Sequence, residues 1–213
     1  MKIMCISDIH GNIECLNKAI ERYREENADK LIILGDFSGY YFSSSDFEVA
    51  EILNNMAGVI VAVKGNCDSF ETDNLFNFGL GYLKTIAVNG LKVTLTHGHM
   101  YNRNNLPENC GDIFLSGHTH IGNIEKINGK IIANPGSISK PRGGTKKSYI
   151  TIDEEKIELK SLDGETIKKL NVKYWQLQIK YCIMNILIKI LLRYLKWESS
   201  CFSGRLKMRE FLL

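Results

Sequence analysis

The first third of the chain alternates short apolar strands with stretches of helical periodicity, and every strand ends in a small polar motif. The three apolar runs that predict buried strands are 2–6, 31–34 and 59–63. Between them, residues 12–26 predict a helix capped by Asn12, and residues 45–56 predict one that begins with a capping-box pattern at 45–48. Strands separated by helices favour a parallel sheet, with a ligand crevice at the carboxyl ends of its strands.

The second half of the chain carries paired strand signals instead. Asn-Gly dipeptides at 89–90 and 128–129 lie between apolar runs and predict two tight hairpins. The runs 149–152 and 156–159 predict a third pair, and 113–115 a further strand. Together the halves predict an α/β fold of two packed mixed β-sheets flanked by helices, plus a C-terminal helical extension.

All five histidines lie in three short clusters, each next to a glycine and each after an apolar run. The clusters are Asp8-Ile9-His10, His97-Gly98-His99 and His118-Thr119-His120. Side chains at i and i+2 share a face of an extended chain, so each cluster can point two donors into one site. A single such histidine is usually a packed core or surface residue, but five in one pattern favour a metal site.

Two oxygen donors occupy the same position after a strand, Asp36 following Gly35 and Asn66 following Gly65. Mixed oxygen and imidazole donors suit Mn²⁺, Fe²⁺, Zn²⁺ and similar ions, and no thiolate cluster points to structural zinc. One ion needs three or four protein ligands, so this inventory supplies two ions. A carboxylate such as Asp36 can bridge them.

In their order and spacing these motifs resemble those of the calcineurin-like metallophosphoesterases, and the Gly-Asn-Cys-Asp version is most similar to the small bacterial YfcE-type phosphodiesterases. The motifs are Asp8-x-His10, Gly35-Asp36, Gly65-Asn66-Cys67-Asp68, Thr96-His97-Gly98-His99, Gly117-His118-Thr119-His120 and Asn134-Pro135-Gly136-Ser137. The resemblance covers residues 1 to about 170 and predicts a metallophosphoesterase domain at 1–172.

The resemblance implies two metal sites that share one carboxylate. The first would use Asp8, His10, Asp36 and His120, and the second Asp36, Asn66, His97 and His118. It places His99 just outside the ligands or near the substrate. Asn12 would contact phosphate, although capping the first helix suits it at least as well. Two divalent ions are expected, Mn²⁺ first, with Zn²⁺, Fe²⁺ and Ni²⁺ as alternatives.

The implied activity is metal-dependent hydrolysis of phosphodiesters. By this resemblance, two ions roughly 3.5–4 Å apart would lower the pKa of a bridging water, and the resulting hydroxide would attack phosphorus in line with the leaving alkoxide. The alternative is a non-catalytic scaffold for protein–protein interaction, because a retromer subunit shares this fold and uses it for protein binding. That role would predict lost metal ligands, whereas every expected ligand is present here.

Two departures from the wider superfamily shape this prediction. Many relatives have histidine after Gly-Asn, where it stabilises the transition state or protonates the leaving group. Here the position is Cys67, our catalytic candidate, whose thiol is mostly neutral at pH 7 and a weak donor. Asp68 or a substrate group could help instead, or Cys67 could only pack.

The second departure concerns phosphate binding. Ser/Thr phosphatases and dinucleoside tetraphosphatases of the superfamily carry an arginine soon after the metal aspartate, but no arginine follows Asp36 at 37–42. A doubly charged monoester would lack that clamp, so a small phosphodiester is the expected substrate. The aromatic run 40–42 could line a pocket for a flat group, or could simply pack.

The net charge of +3 is divided unevenly along the chain. Residues 173–213 contain eight Lys/Arg against two Glu, which leaves residues 1–172 with a net charge of −3. An acidic domain gives no reason to expect specific nucleic-acid binding. Because the six cysteines form no CxxC pair and the N-terminus lacks a signal-peptide core, we expect reduced thiols in a cytoplasmic protein.

Residues 173–213 predict a basic, apolar helical tail of unknown role. Its polar residues Asn185, Lys189 and Arg193 recur every fourth position and form a narrow stripe on a helix. The apolar run 181–195 is shorter than the roughly 20 residues that span a bilayer. Three alternatives stay open: packing on the domain or on another subunit in a homo-oligomer, contact with a membrane surface, or a poorly ordered extension.

Overall fold

Eleven strands and three α-helices carry the fold in the part of the chain that the computed structural model describes, residues 1–39, 41, 43–172, 184 and 186–191. The strands are β1 Ile3–Ile6, β2 Lys30–Ile33, β3 Ile60–Ala62, β4 Leu83–Val88, β5 Leu91–Thr96, β6 Ile113–Ser116, β7 Asn123–Ile127, β8 Lys130–Asn134, β9 Ser148–Ile152, β10 Lys156–Ser161 and β11 Thr166–Asn171. The helices are α1 Ile13–Glu25, α2 Ser44–Asn54 and α3 Phe70–Asp73, with a 3₁₀ turn at Ala57–Val59.

The first sheet contains the predicted parallel strands. Its order is β11-β10-β9-β1-β2-β3, and β1, β2 and β3 run parallel. The amphipathic helices α1 and α2 bury Leu16, Ile20 and Leu53 in one core cluster with Met4 and Ile33 of the sheet. This confirms the parallel half, and it brings the carboxyl ends of the three strands to one edge.

The second sheet is built on the predicted hairpins. Its strand order is β4-β5-β6-β8-β7. The hairpins β4–β5 and β7–β8 are antiparallel, and β6 lies between them, parallel to β5 on one side and to β8 on the other. Both hairpin turns are Asn-Gly pairs at positive φ, 52° and 81° at Asn89 and Gly90 and 49° and 77° at Asn128 and Gly129. Asparagine and glycine tolerate this region better than other residues, so the dipeptide fixes each hairpin. The fold of two mixed sheets with helices is confirmed.

One helix start was predicted two residues too late. The sequence pattern predicts a capping box at 45–48, but α2 is capped by Ser43, whose backbone N–H donates to Asp46 at 2.5 Å. The prediction was wrong because the shorter Asp46 side chain closes the box in place of a glutamate. Asn12 does cap α1, accepting a hydrogen bond from the Cys15 backbone at 2.9 Å.

The chain divides into two units, Met1–Asn171 and Val172–Leu213. In the second unit the described residues, Met184 and 186–191, are helical, which confirms a C-terminal helix. Their apolar side chains are 48–59% exposed. The rest of the predicted 173–213 tail lies outside the described residues, so its role stays a prediction. Among the described residues, no helix has both the length and the apolar character needed to cross a bilayer.

We predict that Glu26, just after α1, stabilises the first sheet in a pH-dependent way. Its carboxylate accepts hydrogen bonds from Lys160 (2.6 Å), Lys2 (2.7 Å) and Tyr149 (2.9 Å). Burial raises the pKa of Glu26, but these bonds outweigh burial and lower it from 4.5 to about 2. Replacing Glu26 with Gln should therefore lower the free energy of unfolding at pH 7 by about 2 kcal/mol.

The sign of the pH dependence follows from the lowered pKa. The carboxylate contributes fully above its ordinary pKa of 4.5, and its contribution is lost as the pH falls towards 2. Denaturant titrations should show the gap between wild type and Glu26→Gln shrinking by more than half from pH 7 to pH 3. A Glu25→Gln variant is the control, since that side chain is 58% exposed. A gap of equal size at both pH values would contradict the assignment.

Candidate metal centre

The loops that leave β1, β2, β3, β5 and β6 supply all the predicted metal ligands. Backbone bonds hold the first two loops together, from Asp8 N to Gly35 O (3.1 Å) and from His10 N to Asp36 O (2.9 Å). Gly117 N donates to His97 O at 2.6 Å and fastens the loop after β6 to the loop after β5. The predicted convergence of post-strand residues is therefore present in the structure.

One donor set forms around His10 and His120, whose Nε2 atoms are 3.2 Å apart. His120 Nε2 lies 3.2 Å from Asp8 Oδ1, and His10 Nε2 lies 3.8 Å from the same oxygen. Asp36 Oδ2 completes the set at 3.7 Å from His10 Nε2. These are the four residues predicted for the first ion.

A second donor set forms around His97. Its Nε2 lies 3.0 Å from Asn66 Oδ1, 3.3 Å from His118 Nδ1 and 3.4 Å from Asp36 Oδ2. These are the four residues predicted for the second ion. Asp36 Oδ2 belongs to both sets, because it is close to His10 on one side and to His97 on the other.

The donor spacing fits divalent transition-metal ions. Ligand bonds of about 2.0–2.2 Å place neighbouring donors of one ion roughly 3–3.6 Å apart, close to the separations found here. Asp8 is fully buried, and its Oδ1 has no hydrogen-bond partner among the described residues. A buried carboxylate oxygen without a donor is costly unless a cation faces it. The residues present therefore fit the implied ions.

Two histidines are oriented for metal binding by backbone carbonyls. His97 Nδ1 donates to Leu34 O at 2.7 Å, and His120 Nδ1 donates to Lys140 O at 2.6 Å. Each bond fixes the tautomer that leaves an Nε2 lone pair directed into the site. The position of the two carbonyls therefore decides that Nδ1 carries the proton and that Nε2 faces the metal.

The pKa shifts differ among the predicted metal ligands. Burial raises the pKa of Asp36, but His97 in its protonated form and the Cys67 backbone N–H outweigh burial and hold the pKa well below the usual range. Burial is the main cause that lowers the pKa of His10 and of His118, which favours their neutral forms. At His97 the neighbouring Asp36 outweighs burial and raises the pKa, and at His120 the neighbouring Asp8 raises it, so a cation would compete with a proton at these two side chains. An ionised carboxylate and neutral imidazoles are the forms that coordinate cations.

Five of the seven predicted ligands adopt a left-handed backbone, which non-glycine residues rarely do. The positive φ angles are 57° at Asp8, 49° at His10, 53° at Asp36, 69° at His118 and 62° at His120. Each such residue costs of order 1–3 kcal/mol, and such strain concentrates at functional sites. Because the strained residues are concentrated among the predicted ligands, the strain supports a functional role for this site.

Asp68 fastens the loops after β2 and β3 together, a role the sequence analysis missed. Its buried carboxylate accepts backbone hydrogen bonds from Gly65 (2.7 Å), Asp36 (2.8 Å), Phe37 (2.8 Å) and Ser38 (3.3 Å). Burial raises its pKa to about 6, against the backbone donors. Because the donors include the Asp36 amide, Asp68 fixes the position of Asp36, and both of its carboxylate oxygens are occupied by backbone N–H groups.

The Asn-Pro-Gly-Ser segment supports the other loops. Asn134 Nδ2 donates to Gly117 O at 2.7 Å, which holds the backbone just before His118. The hydroxyls of Ser137 and Ser139 donate to Asp8 O at 2.8 and 2.9 Å. The motif therefore positions ligands from both sheets without supplying a ligand itself.

The remaining site predictions have different outcomes. Cys67 lies at the centre, its N–H donating to Asp36 Oδ1 at 2.8 Å. The His99 ring is 5.5 Å from that of His97, beside the ligands. Asn12 uses its side-chain oxygen to cap α1, so its phosphate role stays a prediction. Tyr41 is 88% exposed, and its predicted pocket partners Tyr40 and Phe42 lie outside the described residues.

Comparison with known proteins agrees with the geometry. The family model for the calcineurin-like phosphoesterase superfamily domain matches residues 1–156. Phosphodiesterase YfcE of Escherichia coli is 34% identical over 179 residues, covering 78% of this chain and 95% of that protein. The probable metallophosphoesterase YsnB of Bacillus subtilis is 30% identical, covering 80% of this chain and 96% of YsnB.

Solved structures show the same likeness. The phosphoesterase YfcE from E. coli superposes with a TM-score of 0.74 at 31% identity, covering 81% of this chain and all of that one. Vps29 of Entamoeba histolytica shares the fold, with a TM-score of 0.59 at 21% identity over 80% of this chain and 99% of its own. The chain therefore belongs to the calcineurin-like phosphoesterase superfamily and is a phosphoesterase enzyme.

Proposed function

We propose that the chain hydrolyses phosphodiesters with two divalent ions, Mn²⁺ in the first instance, that share Asp36. The observation that carries this proposal is the position of Asp36 Oδ2, 3.7 Å from His10 Nε2 and 3.4 Å from His97 Nε2. An oxygen placed between two complete donor sets is suited to bridging two cations. Both sets, Asp8/His10/Asp36/His120 and Asp36/Asn66/His97/His118, would hold the ions.

When bound, two such ions would supply an activated water and would offset negative charge on the phosphoryl oxygens. The protein's own residues arrange that chemistry. Asp68 and the Leu34 and Lys140 carbonyls hold Asp36, His97 and His120 in position before substrate arrives. Preorganised donors of this kind need no rearrangement during the reaction, which is how they lower its barrier.

The surroundings of Asp36 favour a diester over a monoester. Phe37 and Ser38, which follow it, are buried, and the Phe37 ring packs 4.6 Å from the Phe76 ring. In the described part of the loop, 37–39 and 41, no cationic side chain can clamp a doubly charged phosphate. A singly charged diester needs less compensation, so it suits this site better.

Cys67 contributes no positive charge to this site. Burial, with Asp36 close by, raises the pKa of the Cys67 thiol to about 12, which favours the neutral thiol over the thiolate. Its sulfur lies 3.5 Å from Asn66 Nδ2, beside a predicted ligand. We propose that Cys67 faces the reacting phosphate as a weak donor, which favours esters whose leaving groups need no proton.

A metal-removal experiment tests the proposed function. Protein treated with a chelator should lose hydrolysis of bis(p-nitrophenyl) phosphate and recover it when Mn²⁺ is added, while p-nitrophenyl phosphate, a monoester, should be cleaved at least about tenfold more slowly. Zn²⁺, Fe²⁺ and Ni²⁺ are tested in parallel. Full activity without any metal would refute the two-ion proposal, and a preference for the monoester would refute the diester assignment.

A further inference from the structure

Tyr82 is an aromatic residue at the edge of the metal centre that the site described above does not use. It lies one residue before β4, and β4 pairs with β5 so that Leu83 faces Thr96. His97 follows Thr96 directly, so this pairing brings Tyr82 beside the loop that carries His97 and His99. Strand pairing thus brings Tyr82 to the site although it is far from every histidine along the chain.

The backbone of this segment is fixed between two ligand-bearing loops. Lys64 N, two residues before Asn66, donates to Gly81 O at 2.9 Å. Thr96 Oγ1, one residue before His97, donates to Tyr82 O at 3.1 Å. The backbone at Gly81 and Tyr82 is therefore held to the loops that carry Asn66 and His97, two ligands of the second donor set.

The Tyr82 ring lies beside the imidazoles and remains open to solvent. Its centroid is 5.9 Å from that of His99 in an edge-to-face arrangement, and His99 in turn is 5.5 Å from His97. Tyr82 is 48% exposed, so its backbone is fixed while one part of its ring stays accessible to a ligand. An aromatic surface fixed one ring beyond a metal ligand can contact a group attached to the reacting phosphate.

We propose that Tyr82 is a specificity-determining residue that binds a planar aromatic group, an aryl ring or a nucleobase, of the phosphodiester. This inference rests on the proposed diesterase function. The physical basis is contact between π surfaces, which every nucleobase and aryl group provides and an alkyl group does not. An aryl ring and a nucleobase share this chemistry, and the test uses a separate ligand for each to distinguish them.

The test measures binding as well as turnover. Calorimetry on the Mn²⁺-supplemented full chain measures the affinity for three ligands: diphenyl phosphate, dimethyl phosphate and a dinucleoside phosphorothioate. Tyr82→Ala should weaken binding of diphenyl phosphate about tenfold and leave dimethyl phosphate unchanged. For bis(p-nitrophenyl) phosphate, KM should rise about tenfold with kcat nearly unchanged, since ground state and transition state lose the same contact.

Two variants control the interpretation. Tyr82→Phe keeps the ring and should keep the aryl preference, so it separates loss of contact from misfolding. Leu83→Ala removes the adjacent apolar side chain, which points to the opposite face of the strand, and should behave as wild type. Tighter binding of the phosphorothioate than of diphenyl phosphate would identify a nucleobase as the natural group, and the reverse order an aryl group.

The outcomes separate this inference from the proposed function. Equal weakening of diphenyl and dimethyl phosphate in Tyr82→Ala, or no weakening of either, would overturn the role of Tyr82 while wild-type diester hydrolysis still supports the two-ion site. A wild type that neither binds nor hydrolyses any diester with Mn²⁺ would overturn the proposed function itself.

Discussion

Replacing Asp36 with Asn should reduce kcat/KM for bis(p-nitrophenyl) phosphate by at least about 10³-fold at saturating Mn²⁺. The substitution keeps the size of the side chain and an oxygen that can accept the Cys67 N–H bond to Oδ1. It removes the negative charge at the oxygen that both donor sets share. The loss therefore reports on the shared carboxylate and not on the loop's shape, provided that circular dichroism and the Tm stay close to wild type.

A matched control is available elsewhere in the chain. Asp163 is 70% exposed and pairs with Lys18, so Asp163→Asn makes the same chemical change away from the site. It should leave kcat/KM within about twofold of wild type. Near-normal hydrolysis by Asp36→Asn would show that Asp36 is not part of the metal centre.

Gly65→Ala should disable the same carboxylate from the neighbouring loop. A Cβ at Gly65 would lie 2.1 Å from Asp36 Oδ1 and 2.3 Å from Asp36 N, far inside contact distance. The loops after β2 and β3 would have to separate, against the Asp68 bonds that join them. We expect about 10²-fold lower kcat/KM and a free energy of unfolding lower by about 1–3 kcal/mol.

Calorimetric Mn²⁺ binding and thermal unfolding measure both effects. Gly58→Ala is the control, because a Cβ there meets nothing within 4 Å. It should bind Mn²⁺ and unfold as the wild type does. If Gly65→Ala also retained normal metal affinity and turnover, the close contact between Gly65 and Asp36 would have no part in building the site.

The fold was predictable where a local signal decides the structure. The Asn89-Gly90 and Asn128-Gly129 turns fix their hairpins, because both residues must take positive φ. The antiparallel pairing of β9 with β1, which sets Ile150 beside Cys5, was not predictable. The periodicity of a sequence indicates a strand but does not indicate which distant strand pairs with it. The edge strand β11 was missed for a related reason: most of its residues are exposed, so it lacks an apolar run.

The site was predictable to the level of residue types and order. Strand ends converge in an α/β fold, so polar residues after each strand indicated the donor set. The sequence could not indicate that Asp68 would bind four backbone amides, because that depends on the closeness of two loops. Tyr82 was missed for the same reason, since it reaches His99 only through strand pairing.

The central claim is that two ions share Asp36, and metal stoichiometry tests it most directly. Chelated protein is titrated with Mn²⁺ while bound metal and bis(p-nitrophenyl) phosphate hydrolysis are followed together. We predict that wild type binds two ions per chain and becomes fully active only as the second binds, and that Asp36→Asn loses at least one of them. Full activity with one ion per chain, or two tightly bound ions in Asp36→Asn, would contradict the claim.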